Sequence, residues 1–558
     1  MKKMTVVLLS LSVFFSALVS VVCAQASPLQ SLKSLPIQDG GRIKPFDTFS
    51  RDTLELIYGK YTYEKRPAVE IVMTWILQPQ AWQERPIFEV RNAQVKRGMK
   101  LDPERKLFTL KELIENDRLS VMMQELQSKR ETKEKLDPYH QSLQRLENQL
   151  LTFREIASGR MIKLIPPTVE QAAVSDAWTD LTKMSEQQQT AFLKITQAFA
   201  AYIGAVAQGH TPNDKELIQK MDTAVFEFET MARAVNPDHY PAANKIAVEI
   251  HYNNFHPFKW AYLSFLFSAL CIVLIWITRK DKNLYLASWV FAWIGLILTT
   301  YGFGLRSYLT ERAPVTNMFE TVVWVGWGTV VFAMIFEKIY KWKFVLFAGS
   351  VVGFFCLALA DNAPVVLDNS LIPLEPVLRS NFWLTTHVMT ITISYSAFAL
   401  SFLIGDVALV YFLKGEEKHK EKIKAMTLAQ YRGIQVGIAF LAPGIILGGI
   451  WADYSWGRFW GWDPKETWAL IALLGYIAVL HGRIAGLIKD FGMAVSSICT
   501  FSLVIMAWYG VNFVLGAGLH SYGFGAGGVE YVSGFVSLHF LYVIFVAIVR
   551  KGRLKSGS

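Results

Sequence analysis

The sequence is short of charge. Aspartate, glutamate, lysine and arginine make up 18% of its 558 residues, against about 25% in an average soluble domain, so part of the chain is built for an apolar solvent. Its four cysteines, Cys23, Cys271, Cys356 and Cys499, lie inside apolar runs without a C-x-x-C pair. That excludes a disulfide scaffold, a cysteine zinc site and a dithiol redox motif within this chain. Without C-x-x-C-H the chain is not itself a c-type cytochrome. No P-loop, dinucleotide fingerprint, G-x-S-x-G or H-E-x-x-H is present, which removes the common nucleotide-binding, hydrolase and zinc-protease readings. There is no internal repeat and no low-complexity stretch.

What is present begins with a targeting signal. Residues 1–26 start with Lys2 and Lys3, continue through an apolar run from Val6 to Val22 and reach Ala24-Gln25-Ala26. A basic start, an apolar run and a small-x-small site describe a secretory signal peptide; an uncleaved anchor is the alternative. Residues 27–257 are polar and read as a mostly helical external domain. Leu143, Leu146, Leu150 and Phe153 recur at helical spacing among charges. Gln38 to Pro45 reads as a turn followed by an amphipathic helix.

From residue 258 the solvent changes. Apolar runs at 258–278, 284–304, 319–337, 343–360, 384–413, 434–451, 467–488, 493–514 and 533–550 each approach the ~20 residues that cross a bilayer. Residues 258–550 thus form a polytopic membrane domain and 551–558 a cytoplasmic tail. The expected fold is an all-α polytopic membrane protein of eight or nine transmembrane helices, preceded by a mostly helical periplasmic domain. Loop charge sets the orientation. With 27–257 outside, the cytoplasmic loops and tail carry 18 lysines and arginines, and the opposite loops carry 5. The net charge of +10 is therefore largely topological, and nucleic acid is not an expected partner.

The densest chemistry lies in the expected external loop 451–468, WADYSWGRFWGWDPKETW. It holds Trp451, Trp456, Trp460, Trp462 and Trp468, more than an interfacial aromatic belt uses. Indole faces offer broad contact to a flat ligand, and Gly457 and Gly461 let backbone come close. Arg458 and Lys465 suit ligand carboxylates, with Asp453, Asp463 and Glu466 placed to fix those cations.

Histidines form the second constellation. His387, at the entry of the fifth span, and His520, in the external loop before the last span, fall on the same membrane face as the tryptophans. Two imidazoles there would supply both axial bonds of a haem iron. His481 lies 13 residues past Trp468, about 20 Å deeper in the seventh span. An ionisable group at that depth is a functional candidate. No second histidine is expected at matching depth: His539 is expected in the outer part of the last span, and His256 at the outer start of the first. Weaker signals are Arg312 to Glu320, where Glu320 reads equally as helix cap or site residue, and Gly448-Gly449 after Pro443, the one hint of a broken transporter helix.

WGRFWGWDPKETW resembles the tryptophan-rich WWD signature of haem-handling proteins. With His387, His520, GLHSYG and APVTNMFE, the stretch 284–550 resembles the CcsA type of the system II cytochrome c synthase, whose fused form joins it to a CcsB (ResB) half. LPIQDGGRIKPFDTF and HYNNFHPF resemble the external region that precedes this module in long members. The resemblance implies haem b as cofactor, His387 and His520 as its external axial ligands, and His481 as a transmembrane haem ligand. It also implies export or presentation of haem beneath the tryptophan loop, for thioether attachment to the C-x-x-C-H of apocytochrome c. The partner histidine for His481 belongs in the family to the CcsB portion, so a separate ResB/CcsB-like membrane subunit is expected beside the lipid and the apocytochrome. No residue has the character of a nucleophile or general base; "synthase" then describes a complex. The alternatives are a system I haem lyase or haem-delivery protein, a membrane b-type cytochrome acting on quinone, and a transporter without haem.

Overall fold

A computed structural model describes residues 29–132, 136–209, 214–279, 281–363, 367–371, 380–515 and 528–556. The signal-peptide segment 1–26 and His520 lie outside the described residues. The chain divides into two compact units, one ending at Phe255 and the other taking up the chain again at His256.

The first unit is helical, with four two-stranded antiparallel sheets. The turn expected at Gln38–Pro45 is one of them: Pro36–Asp39 pairs with Arg42–Pro45 around Gly40-Gly41, both glycines at positive φ. The amphipathic helix that follows is Phe46–Tyr58. Helix Pro138–Ala157 buries Leu143, Leu146 and Phe153, as their spacing required. A bidentate pair from Arg42 to Glu249, at 2.8 and 2.7 Å, ties the hairpin to the unit's last helix, Ala243–Phe255. Thr48 donates to the same carboxylate at 2.7 Å. Both Glu249 oxygens are thereby bonded, the condition under which a buried charge is tolerated.

Ten helices among the described residues are long and apolar enough to cross a membrane. One, Glu186–Ala207, belongs to the first unit and sinks Phe192, Ile195 and Phe199 into its core. The other nine coincide with the nine runs of the sequence, and the chain is an all-α polytopic membrane protein. They are Pro257–Thr278, Lys282–Thr310, Met318–Tyr340, Phe344–Asn362, Asn381–Lys414, Lys420–Trp456, Pro464–Ile484, Asp490–Leu515 and Val529–Ser556, here called the first to ninth membrane helices.

One difference matters for function. The sixth helix runs to Trp456, so Trp451 and Trp456 are helical rather than loop residues. The seventh starts at Pro464, which puts Lys465, Glu466 and Trp468 in its first turns. Only 457–463 is loop. Hydropathy placed the ends wrongly because aromatic and charged residues at a membrane surface lower the apolar score without breaking backbone hydrogen bonding.

The fifth and sixth helices pack along a glycine face. A Cβ at Gly433 or Gly437 would strike Ser401 or Phe398, and one at Gly444 would lie 2.9 Å from the Ile391 backbone. Small residues at four-residue steps let two membrane helices approach to backbone distance. That approach brings His387 against its neighbour.

Candidate functional site

The site lies where the fifth helix begins and the sixth ends. The fifth helix presents Leu384, His387, Ile391 and Tyr395 on one face at helical spacing. The sixth contributes Gly448 and Trp451, the loop Trp460, and the seventh Lys465 and Glu466. These residues line a cavity of ≈ 150 Å³. A second cavity, beside His539, holds ≈ 10 Å³, room for about one water.

His387 is fixed twice. Its Nδ1 lies 2.8 Å from the carbonyl oxygen of Gly444, which can only accept, so Nδ1 carries the hydrogen and Nε2 the lone pair. The ring stacks parallel to Trp451, with centroids 6.4 Å apart at 6°. A Cβ at Gly448 would stand 2.6 Å from His387 Cε1, so the ring occupies space that only glycine leaves. Gly448-Gly449, the sequence hint of a broken helix, instead seats two rings inside a continuous helix, His387 on Gly448 and Phe459 on Gly449.

Glu466 organises the loop. Its carboxylate accepts from Arg458 at 3.1 Å and from the backbone N–H groups of Gly461 and Asp463 at 2.8 and 3.2 Å. Asp463 caps the seventh helix by accepting from the Lys465 N–H at 2.9 Å, completing a capping box with Glu466. Arg458 lies over Trp456 at 5.7 Å, which packs edge-on against Trp451 at 4.7 Å. The two cations therefore divide. Arg458 braces the loop, and Lys465 lines the cavity, where its ammonium donates to Asn512 Oδ1 at 3.3 Å.

Of the residues singled out in the sequence, the structure brings His387, Trp451, Trp460, Lys465 and Glu466 to the cavity wall. Trp456, Arg458 and Asp463 support that wall. Trp462 is 71% exposed, at φ 56°, and packs edge-on against Trp460. Trp468 lies one turn along the seventh helix and is absent from the lining.

The opposite wall was read only in part: Val315 to Met318 belong to the weaker Arg312–Glu320 signal, whereas Thr321, Trp508 and Asn512 were missed. Val315 to Met318, Thr321, Trp508 and Asn512 complete the cavity. Asn512 also donates to Met318 Sδ at 3.4 Å, and Trp508 Nε1 donates to Thr321 Oγ1 at 3.1 Å. Trp508 and Asn512 belong to a π-helical stretch, Met506–Leu515, a rare winding often found at functional sites. Its wider turn leaves no periodic mark in a sequence. Glu320 is settled as support: buried, it accepts from Arg306 at 2.9 Å, Arg312 at 2.8 Å and the Thr316 N–H at 2.9 Å. It thereby holds the segment that carries Val315 to Met318 to the cavity.

His481 differs in kind. It sits three residues before the end of the seventh helix at Ile484. It is exposed, with Nδ1 2.9 Å from the Ile477 carbonyl of its own helix, so in the neutral ring Nε2 again carries the lone pair. His539 lies in the first half of the last helix, Val529–Ser556, 3.4 Å from Asp406 of the fifth.

Residues 315–520 match the family model described as cytochrome C assembly protein. The chain is 31% identical over 287 residues to the cytochrome c biogenesis protein CcsA of Guillardia theta, covering 47% of this chain and 94% of that one. It is 30% identical over 291 residues to a CcsA of Synechococcus, covering 46% of this chain and 95% of that one. Protein NrfI of Wolinella succinogenes is 27% identical over 495 residues, 86% of this chain. The chain spans only 53% of the length of NrfI.

Proposed function

Because the chain belongs to the CcsA-type cytochrome c assembly proteins, we propose that it binds haem b in the His387 cavity and presents it to apocytochrome c. The observation that carries this reading is His387 itself, locked through Nδ1 on Gly444 with its lone pair on Nε2 at the wall of an aromatic cavity. That is the tautomer an axial ligand needs, set by the hydrogen bond of the other ring nitrogen. His520 is the proposed second axial ligand. The remaining walls suit the same group: indole faces for a flat macrocycle, and Lys465 for a carboxylate at its edge. Haem supplies the vinyl groups that thioether formation consumes. This chain's share is placement, with the thiols coming from the apocytochrome. The Glu466 network holds the tryptophan segment in register over the cavity, and Glu320 holds the opposite rim, so orientation is built in before the substrate thiols arrive.

The cavity end of the membrane helices is the proposed periplasmic face of a bacterial inner membrane, with the first unit outside as a periplasmic domain. The loop charge asymmetry supports that orientation. His481 is the proposed transmembrane haem ligand. It is exposed on its helix within a membrane segment, as a group would be if a ResB/CcsB-like subunit completed its site. The chain would then be one part of a holocytochrome c synthase complex. The quinone-cytochrome alternative needs facing imidazoles within the bilayer. His539 instead turns to Asp406.

The test is an optical spectrum of the chain purified with any co-purifying subunit, beside His387→Ala and His520→Ala. The reading expects sharp reduced haem bands that weaken or broaden in both variants. Bands untouched by both would move haem to His481, and no haem in any sample would remove the haem reading.

A further inference from the structure

Far from the cavity, the fifth and ninth membrane helices meet at an aspartate and a histidine that the haem reading does not use. His539 Nδ1 lies 2.8 Å from the Phe535 carbonyl oxygen. A carbonyl only accepts, so Nδ1 is committed as a donor and Nε2 is the ring's remaining nitrogen. Nε2 stands 3.4 Å from Asp406 Oδ2. Two lone pairs would repel there; the contact is attractive only when a proton lies on one of the two atoms. The imidazole is flanked by Phe402 and Phe535, with ring centroids at 4.9 and 4.3 Å, so little else solvates it. The second carboxylate oxygen, Asp406 Oδ1, is buried with no hydrogen-bond partner. A pair kept only to join two helices would satisfy both oxygens, as Glu249 and Glu320 do in this chain.

We infer that Asp406 and His539 form a proton-binding site inside the membrane, in which one exchangeable proton holds the fifth helix to the ninth. Binding transfers the proton from hydronium to the couple and releases water. Loss of the proton leaves a carboxylate facing an imidazole lone pair and opens the contact. The adjoining cavity of ≈ 10 Å³, lined by His539, Cys499 and Ser502, has room for about one water to carry the proton. Few other titratable groups face the couple. The Tyr542 hydroxyl of the ninth helix donates to the Asp406 backbone oxygen at 3.3 Å, and Cys499 comes from the eighth. The next charged pair in that direction is Glu416, just past the fifth helix, with Arg550 of the ninth, at 2.9 Å, about 15 Å or three turns further on. An intramembrane ionisable pair is a functional candidate by default, and the ligand here is a proton.

The test is nitrogen NMR of the full chain in lipid bilayers with labelled histidine, titrated from about pH 5 to about pH 9, around the range in which imidazole changes charge. The expected result is a histidine step that is lost in His539→Gln and displaced by about one pH unit or more in Asp406→Asn. Asp406→Glu, which keeps the charge, should retain the step even if Asp406→Asn fails to fold. A step at the same pH in Asp406→Asn and in the parent would overturn the inference. So would a His539 signal that never changes across the range. Haem is not needed for the measurement, so its outcome is separate from that of the cavity reading.

Discussion

His387 and His481 make the same local choice and end in opposite situations. Each gives its Nδ1 hydrogen to a helix carbonyl, which leaves the lone pair on Nε2. His387 finds its carbonyl on another helix, at Gly444, and is sealed between Trp451 and Gly448. His481 finds its carbonyl one turn back on its own helix and stays exposed. The lesson is that a histidine's tautomer is cheap to fix, whereas its position is not. Position needs a second element packed to backbone distance, and His387 has one in the sixth helix at Gly444.

The comparison can be broken most severely at His387. His387→Ala should lower haem affinity of the cavity by more than the about 100-fold that losing a supporting residue costs, whereas His481→Ala should leave the cavity spectrum unchanged. Haem titration of both variants, followed optically, checks this; equal loss in the two would erase the distinction drawn here. Next in size is Gly448→Leu, which keeps every ligand but fills the space of the ring. It should displace His387 and weaken haem binding by about 10- to 100-fold, at a folding cost on the order of 1–3 kcal/mol. Lys465→Gln removes the one cation on the cavity wall among the described residues. An affinity loss of about tenfold, the worth of one charge-assisted hydrogen bond, is expected for haem and a much smaller one for a porphyrin with esterified carboxylates. The smallest effect should come from Glu466→Gln, which keeps the size of that wall residue but loosens Arg458 and the loop. A few-fold loss, with faster amide exchange confined to residues 457–463, would separate loop order from direct contact. No change in that exchange would remove Glu466 from its role as organiser.

These variants also mark what could be read in advance. Trp451, Trp460, Lys465 and His387 were legible because five tryptophans within 451–468, with cations beside them and histidines expected on the same face, exceed what an interfacial belt uses. Trp456 and Arg458 carry the same signal, yet the structure uses them as braces, since composition does not say which face of a turn looks inward. Thr321, Trp508 and Asn512 had no such signal; they are ordinary span residues gathered by packing from the third and eighth helices. Asp406 was invisible for a related reason. A lone aspartate in an apolar run shows that something must meet it, and the partner was 133 positions away at His539.

The sequence by itself determined the nine membrane helices, the helical unit before them and the concentration of aromatic, cationic and imidazole groups near one membrane face. Those follow from hydropathy, periodicity and the cost of burying charge, all of which act locally along the chain. Only the tertiary structure decided which tryptophans face a ligand, which of the two cations stays at the cavity, how His387 is held and what His539 touches. Those outcomes depend on close approach between helices distant in sequence. Here that approach is set by a glycine face on one helix and by a change of winding in another, two features whose effect appears only when the helices meet.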